Sequence, residues 1–327
     1  MLAFVIRRLL QAAIVMLVVA FVAFSLFQYV GDPVLAMVGQ DATPEQRDAL
    51  RRDLGLDQPF HQQFARFVSN AAQGEFGLSF KQGRKVSTLL RERLPATLEL
   101  SLAAAVLALA LGIPMGVYTA LRRGGWLANL MLAVSLVGVS LPTFLIGILL
   151  ILLFAVVLGW LPSYGRGETV AFGWWTSGLV TADGLRHLVL PAITLCLFQM
   201  TLIMRLVRAE MLEVLRTDYI RFARARGLSN RAIHFGHALK NTLVPVITIA
   251  GLQLGAIIAF AIITETVFQW PGMGLLFIQA VQSADIPVMA AYLCLIALVF
   301  VTINLVVDLL YFAVDPRLRA DRAVAAH

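Results

Sequence analysis

Charged residues are few in this chain. Asp, Glu, Lys and Arg make up 14% of its 327 residues, against 60% hydrophobic, and the mean hydropathy is +0.84. That composition excludes an ordinary soluble domain and makes lipid the solvent. Cysteine is almost missing. Cys196 and Cys294 each lie inside an apolar run, so both read as packing residues, and neither a disulfide framework nor a metal set is expected. His234 and His237 have a spacing that can bind metal, but no Cys, Asp or Glu close by completes a set. A Gly-rich phosphate loop, a nucleophile elbow and a His-Glu-x-x-His helix are all lacking, which removes the NTPase, serine-hydrolase and metalloprotease classes. No low-complexity segment or internal repeat is present. Acidic residues number 19 against 26 basic ones, a formal charge of +7. No aromatic-interleaved basic patch accompanies the excess, so it reads as membrane topology rather than nucleic-acid binding.

Runs poor in charge and long enough to cross a bilayer, about 20 residues each, fall at 9–30, 98–118, 130–158, 188–204, 243–264 and 288–310. They are continuous rather than alternating, which predicts six transmembrane helices and excludes a membrane barrel. The third run is long enough to hold a tilt or a kink at Pro142. Basic residues set the orientation. Arg7, Arg8, Arg122, Arg123, the cluster from Arg205 to Lys240, and Arg317, Arg319 and Arg322 all fall on one side. The opposite short loops hold only Arg166 and Arg186, so both termini are expected in the cytoplasm. Residues 1–30 have the charge order of a signal peptide but too long an apolar core, and read as a retained first helix.

Residues 31–96 form the one sizeable water-facing insert, predicted as a small extracytoplasmic helical cap. Thr43-Pro44-Glu45 starts a helix that Gly55 can stop. A second, amphipathic helix is predicted from Pro59 to about Ala71, with Phe60, Phe64, Phe67 and Val68 on one stripe. Gly74, Gly77 and Gly83 then interrupt the pattern. The remaining core, 97–314, carries a cytoplasmic loop at 205–242, and a tail follows at 315–327.

Within that loop, residues 217–241 read as two short capped helices. Thr217 or Asp218 can cap the first, Arg224 and Arg226 load its last turn, and Gly227 stands at the left-handed C′ position. Ser229 can cap the second, which runs toward Asn241. Tyr219, Phe222 and Ala223 share a face, and Ala223 and Gly227 leave a shallow strip of small residues suited to close approach by another protein.

These residues resemble a known family. Asp218-Tyr219-Ile220-Arg221-Phe222-Ala223-Arg224-Ala225-Arg226-Gly227-Leu228, followed by His237-Ala238-Leu239-Lys240-Asn241 and Pro245, is similar to the cytoplasmic loop of type I ABC importer permeases of the dipeptide/oligopeptide branch. Agreement continues along nearly the whole chain. It includes Ile6-Arg7-Arg8-Leu9-Leu10, Gly31-Asp32-Pro33, Gly74-Glu75-Phe76-Gly77-Leu78-Ser79, Arg93-Leu94-Pro95-Ala96-Thr97-Leu98-Glu99-Leu100 and His187-Leu188-Val189-Leu190-Pro191-Ala192. It ends with Thr264-Glu265-Thr266-Val267-Phe268-Gln269-Trp270-Pro271-Gly272-Met273-Gly274, Asp308-Leu309-Leu310-Tyr311 and Asp315-Pro316-Arg317. The general pattern of the family opens on Glu-Ala-Ala and later has Leu-Pro. Here Arg221 and Phe222 stand at the first two positions, Ala223 and Gly227 match, and Lys240 follows Leu239, a departure that looks like the first of two paralogous permeases.

The resemblance implies an all-α integral membrane protein of the bacterial inner membrane, a multi-pass subunit that is not itself an enzyme. It binds no cofactor; ATP and Mg sit on two cytoplasmic ABC ATPases. The other partners implied are a paralogous permease in a heterodimer and an extracytoplasmic binding protein. The loop helix would seat in a cleft on an ATPase, with Tyr219 and Phe222 filling it, Ala223 and Gly227 allowing close approach, and Arg221, Arg224 and Arg226 pairing with acidic residues at its rim. Short peptides are the expected cargo, with nickel, glutathione or another small solute as the alternative within the family.

On the outer side, 265–286 contains no Lys or Arg. Glu265, Phe268 and Trp270 there read either as part of a gate near the substrate exit or, for the aromatics, as an interfacial belt. Gln199, Asn241, Thr248, Gln253 and Asn304 are the span residues most able to line a path, although interhelical hydrogen bonds explain them equally well. An ion-coupled transporter would need ionisable groups at membrane depth, and the span interiors are expected to hold none, Glu99 and Asp308 lying near ends.

Overall fold

A computed structural model describes residues 2–29, 34, 43–54 and 57–314. The motif Gly31-Asp32-Pro33, the stop at Gly55 and the tail at 315–327 lie outside the described residues. Among the described residues eleven α-helices are delimited, in chain order: α1 Leu2–Tyr29, α2 Pro44–Leu54, α3 Phe60–Ala72, α4 Val86–Leu121, α5 Trp126–Ser140, α6 Thr143–Leu150, α7 Ala182–Val214, α8 Asp218–Ala225, α9 Leu239–Val267, α10 Met273–Gln282 and α11 Ile286–Val314. Ile151–Val157 and Ala232–Ala238 are π-helical, and Val170–Phe172 pairs with Trp175–Ser177 in a short hairpin that the sequence reading lacks.

Among the described residues five helices are long and apolar enough to cross a membrane. A sixth span arises only if Trp126–Ser140 and Thr143–Val157 count together, and these are bent by 112°. The kink allowed for at Pro142 in the third run is therefore a sharp bend. Pro142 has no N–H to continue the helix and pushes Leu141 out of the α region, which separates the two pieces. The helices also outrun their apolar cores. α4 already begins at Val86, inside the expected insert, and α7 is 33 residues long. Once a helix is nucleated, each further residue adds a hydrogen bond, so it does not stop at the edge of its apolar stretch.

The chain divides into two compact units. The first comprises Met1–Ala96, Ala171–Thr176 and Pro271–Thr302. In it the Phe stripe of α3 meets α1: Phe24 lies 5.1, 5.6 and 5.8 Å from the rings of Phe60, Phe64 and Phe67, spacings at which edge and tilted ring contacts are favourable. α2 opens with a capping box, Gln46 N–H donating to Thr43 Oγ1 and Thr43 N–H to Gln46 Oε1. Gly74, Gly77 and Gly83 all have positive φ, as their place in the turns requires. Asp285 is the polar centre of this unit. Buried to 2% exposure, it accepts from the Ser79 hydroxyl and from the N–H groups of Phe80 and Lys81 at 3.1 and 3.3 Å.

The second unit comprises Thr97–Val170, Ser177–Trp270 and Ile303–His327. α7 lies at its centre, packed by α5, α6 and α9, with 67% of its most apolar stretch buried. Gly112 and Gly116 let α4 press against α7: a Cβ at Gly116 would meet Val207 Cβ at 2.6 Å and the Met204 carbonyl at 2.7 Å. Thr201 Oγ1 donates to the Ser135 carbonyl of α5 at 3.2 Å. Pro191 and Pro245 sit inside α7 and α9.

Candidate functional site

α8 is short, exposed and firmly terminated. Its end is a Schellman motif, with Leu228 N–H bonded to the Ala223 carbonyl at 3.3 Å, Gly227 N–H to the Arg224 carbonyl at 2.9 Å, and Gly227 at φ +78°. Its start differs from the expected cap. Thr217 holds the N-cap position, but its hydroxyl donates backward to the Val214 carbonyl at 2.6 Å, beside its own N–H at 3.1 Å, and accepts nothing from the helix. Asp218 instead carries negative charge in the first turn and pairs with Arg221 at 3.1 Å.

The second expected helix is not separate. Ser229 Oγ accepts from Ala232 N–H at 3.3 Å, and the helix it starts continues through the π-helical turns into α9. No Gly or Pro stands between Ser229 and Pro245 except Gly236, so nothing breaks it. α8 thus leans on the root of a long helix. Ile220 and Ile233 are fully buried, and Ala223 is 7% exposed. Ala223 therefore turns inward, and the expected strip of small residues is not presented outward. Tyr219 and Phe222, 43% and 63% exposed, form the free face. Tyr219 Oη accepts from Asn241 Nδ2 at 2.7 Å, and Arg226 lies 5.8 Å over the Phe222 ring. Around Gly227 a Cβ would meet nothing within 4 Å. Partial burial, and secondarily the charge of Arg224, holds His234 below the ordinary histidine range.

A second polar group, at the other end of the same unit, is absent from the sequence reading. Arg166 Nη2 pairs with Glu99 Oε2 at 2.6 Å, and Gly178 N–H donates to the same oxygen at 3.3 Å. Glu99 is 4% exposed and Arg166 8%. Close by in sequence, Thr97 Oγ1 donates to Glu265 Oε1 at 2.6 Å, and Glu265 is fully buried. Glu99 lies at the end of its apolar run, as expected, and Arg166 and Glu265 lie outside the runs; what the sequence did not announce is that all three are buried. These charges are tolerated because each meets an opposite charge or a hydrogen-bond donor. Glu99 and Arg166 lie 67 residues apart, and Glu168 stands two residues from Arg166 as a nearer candidate, so no local signal pairs them.

Phe268 and Trp270 are each 1% exposed, so they are not an interfacial belt. Gly165 N–H donates to the Phe268 carbonyl at 2.9 Å, and the Phe268 ring lies against Gly147. Solvent-facing aromatics in the loop before α7 are instead Trp160, Tyr164, Phe172 and Trp174. Gln199 is buried with Oε1 unbonded among the described residues; Thr248 and Gln253, on α9, are half-buried.

Known proteins align with this chain over both regions. A family described as the binding-protein-dependent transport system inner membrane component matches residues 112–320, and the N-terminal family of such membrane components matches 1–102. The chain is 42% identical over 337 residues to the di/tripeptide transport system permease protein DppB of Pseudomonas aeruginosa, covering 98% of this chain and 100% of that one. It is 38% identical over 321 residues to the glutathione transport system permease protein GsiC of Escherichia coli K12, with 98% and 99% covered. A solved inward-facing structure of the MetNI methionine ABC transporter superposes with a TM-score of 0.56 at 20% identity, over 69% of this chain and 96% of that one. The fold is accordingly that of a type I ABC importer permease. An exposed capped helix between two long helices and a likeness that extends along almost all of the chain lead to one assignment: the protein belongs to the inner-membrane components of binding-protein-dependent transport systems, permease subunits of ABC importers that have no ATPase site of their own.

Proposed function

We propose that this chain is one half of a peptide-importing channel, paired with a paralogous permease, driven by two cytoplasmic ATPases that hold ATP and Mg, and supplied by an extracytoplasmic binding protein. The observation that carries the reading is α8. Its exposed Tyr219 and Phe222 sit among Arg221, Arg224 and Arg226 on a helix tied at both ends to long membrane helices. An apolar knob rimmed by guanidinium groups suits an apolar cleft with acidic edges. A body fixed to α7 and α9 transmits a displacement without first having to be ordered. This orientation puts α8, both termini and the loop at 205–242 in the cytoplasm. On the outer side, Glu265, Phe268 and Trp270 act as a gate, with Gln199, Thr248 and Gln253 along the path.

Cargo follows the named relatives, which include di/tripeptide and glutathione permeases. Short peptides are the first reading, and glutathione the second. Both demand the same assay: reconstitute the chain with its partner permease, ATPases and binding protein, and follow uptake of dipeptides, tripeptides, glutathione and nickel. Phe222→Ala and Arg224→Glu should each lower substrate-stimulated ATP hydrolysis and uptake together, at unchanged membrane insertion. Wild-type coupling in both variants would remove α8 from the contact with the ATPase; uptake of nickel alone would remove the peptide assignment.

A further inference from the structure

Arg205 and Arg208 stand one turn apart on α7, and no acidic residue lies three or four positions from either: those places hold Thr201, Leu202, Met204, Ala209, Met211 and Leu212. Two like charges at this spacing repel each other. Neither guanidinium has an ion-pair partner among the described residues. They border an open groove of about 490 Å³ whose remaining walls are Leu132 and Leu136 of α5 and Ala209 and Leu212 of α7. The walls are held in place before any ligand arrives. Just beyond the groove, Thr201 donates to the Ser135 carbonyl, and Gly138 lets the two helices close on each other.

We infer that this groove binds an anionic phospholipid, its phosphate between Arg205 and Arg208 and an acyl chain along Leu132, Leu136 and Leu212. Charge selects the head. Two unpaired guanidinium groups match a phosphate bearing the opposite charge. The walls select the tail, for aliphatic side chains offer nothing to the backbone donors and acceptors of a peptide, which would be desolvated there without partners. Position agrees as well, because Arg205 is the first charge after the apolar stretch of α7, the level at which a headgroup sits. α7 runs from this groove to Val214, four residues before α8 begins at Asp218. A lipid seated here stiffens the stem on which α8 stands, so anionic lipid should raise substrate-stimulated ATP hydrolysis.

The leaflet involved rests on the orientation proposed above; binding itself does not. The complex is reconstituted in nanodiscs, which carry the same lipid on both faces, with phosphatidylcholine alone or with increasing phosphatidylglycerol, and retained lipid is read by native mass spectrometry. Wild type should retain phosphatidylglycerol roughly tenfold better than the Arg205→Gln/Arg208→Gln pair. Arg205→Lys/Arg208→Lys should keep the preference, and Leu136→Trp, which fills the groove, should lose binding of that lipid while both charges remain. Equal retention by wild type and the glutamine pair overturns the site. So does displacement of the bound lipid by a short peptide with a free carboxylate, which would make the groove part of the cargo path. A variant that fails to assemble is replaced in the same measurement by the lysine pair and Leu136→Trp. Labelling of Leu212→Cys by an impermeant thiol reagent from outside the cell would overturn the orientation and leave the lipid site standing.

Discussion

Glu99 and Arg166 show how one pair of side chains can fix a loop to a helix. Each is a charge taken out of water, and each compensates the other, with Gly178 N–H as a further donor to Glu99. Removing one partner should therefore do more harm than removing both. Glu99→Ala leaves a buried guanidinium uncompensated, at a cost of about 3–5 kcal/mol, whereas the double change Glu99→Met/Arg166→Met should cost much less. Cys196 and Cys294 are both buried, so a thiol-reactive dye followed during heating reports unfolding in each variant. Equal midpoints for the single and double variants would contradict the pairing. Gly116 makes the complementary case. A valine there places its first carbon 2.6 Å from Val207 Cβ, overpacking that typically costs about 1–3 kcal/mol. Loss of folded protein should be visible in the same assay.

At the scale of elements, α8 and its supports carry the coupling. Gly227 has φ +78° and open space around it, so Gly227→Val suffers from backbone strain of about 1–2 kcal/mol and not from collision. Gly227→Asn, which visits the left-handed region more readily, should retain more uptake than Gly227→Val in the reconstituted complex. The contact also responds to pH. His234 titrates below its ordinary value because it is partly buried and faces Arg224. The unfolded state therefore binds the proton more tightly. Stability from this contact is present above pH 6.5, the unreacted histidine value, and is lost as pH falls through the lowered one. Hydrogen-exchange protection factors across 219–238, which remove the pH dependence of intrinsic exchange, should fall on acidification, and His234→Gln should flatten that dependence.

Much of this element was legible. The glycine at C′, the serine cap, the arginine-loaded last turn and the Phe stripe of α3 are signals carried within a few residues. The inward turn of Ala223 was not, since helical spacing gives relative faces and only the neighbouring π-helical turns decide which face is covered. Nor was the single continuous helix from Ser229 onward. A π-helical stretch has no composition of its own, so nothing in the sequence shows that the helix started by Ser229 runs on past Asn241 into the next apolar run.

For the whole molecule, the apolar runs located the membrane helices and Pro142 marked the kink, while the true helix lengths and the size of that bend were missed, because hydropathy reports solvent and not where hydrogen bonding ends. The buried charges were illegible for another reason: 67 residues separate Glu99 from Arg166, and nothing local announces a partner so distant. Two expectations belong to this scale. A fluorescent protein fused after His327 should fold and emit if the C-terminus is cytoplasmic; a dark, well-expressed fusion beside an active periplasmic reporter at the same point would reverse the topology. Uptake in the reconstituted complex should require ATP and survive an ionophore, and its collapse with the ion gradient at clamped ATP would contradict the importer mechanism.

The Glu99–Arg166 pair also constrains how such a chain can change over generations. A lineage that loses either charge first passes through an intermediate with a buried, unanswered ion, and that intermediate is the one most exposed to clearance by membrane proteases. The two codons are therefore tied to one another although they lie far apart in the gene. Descendants should carry both charges or neither, and a homologue with only one should prove to hold a substitute counter-ion in the loop before α7.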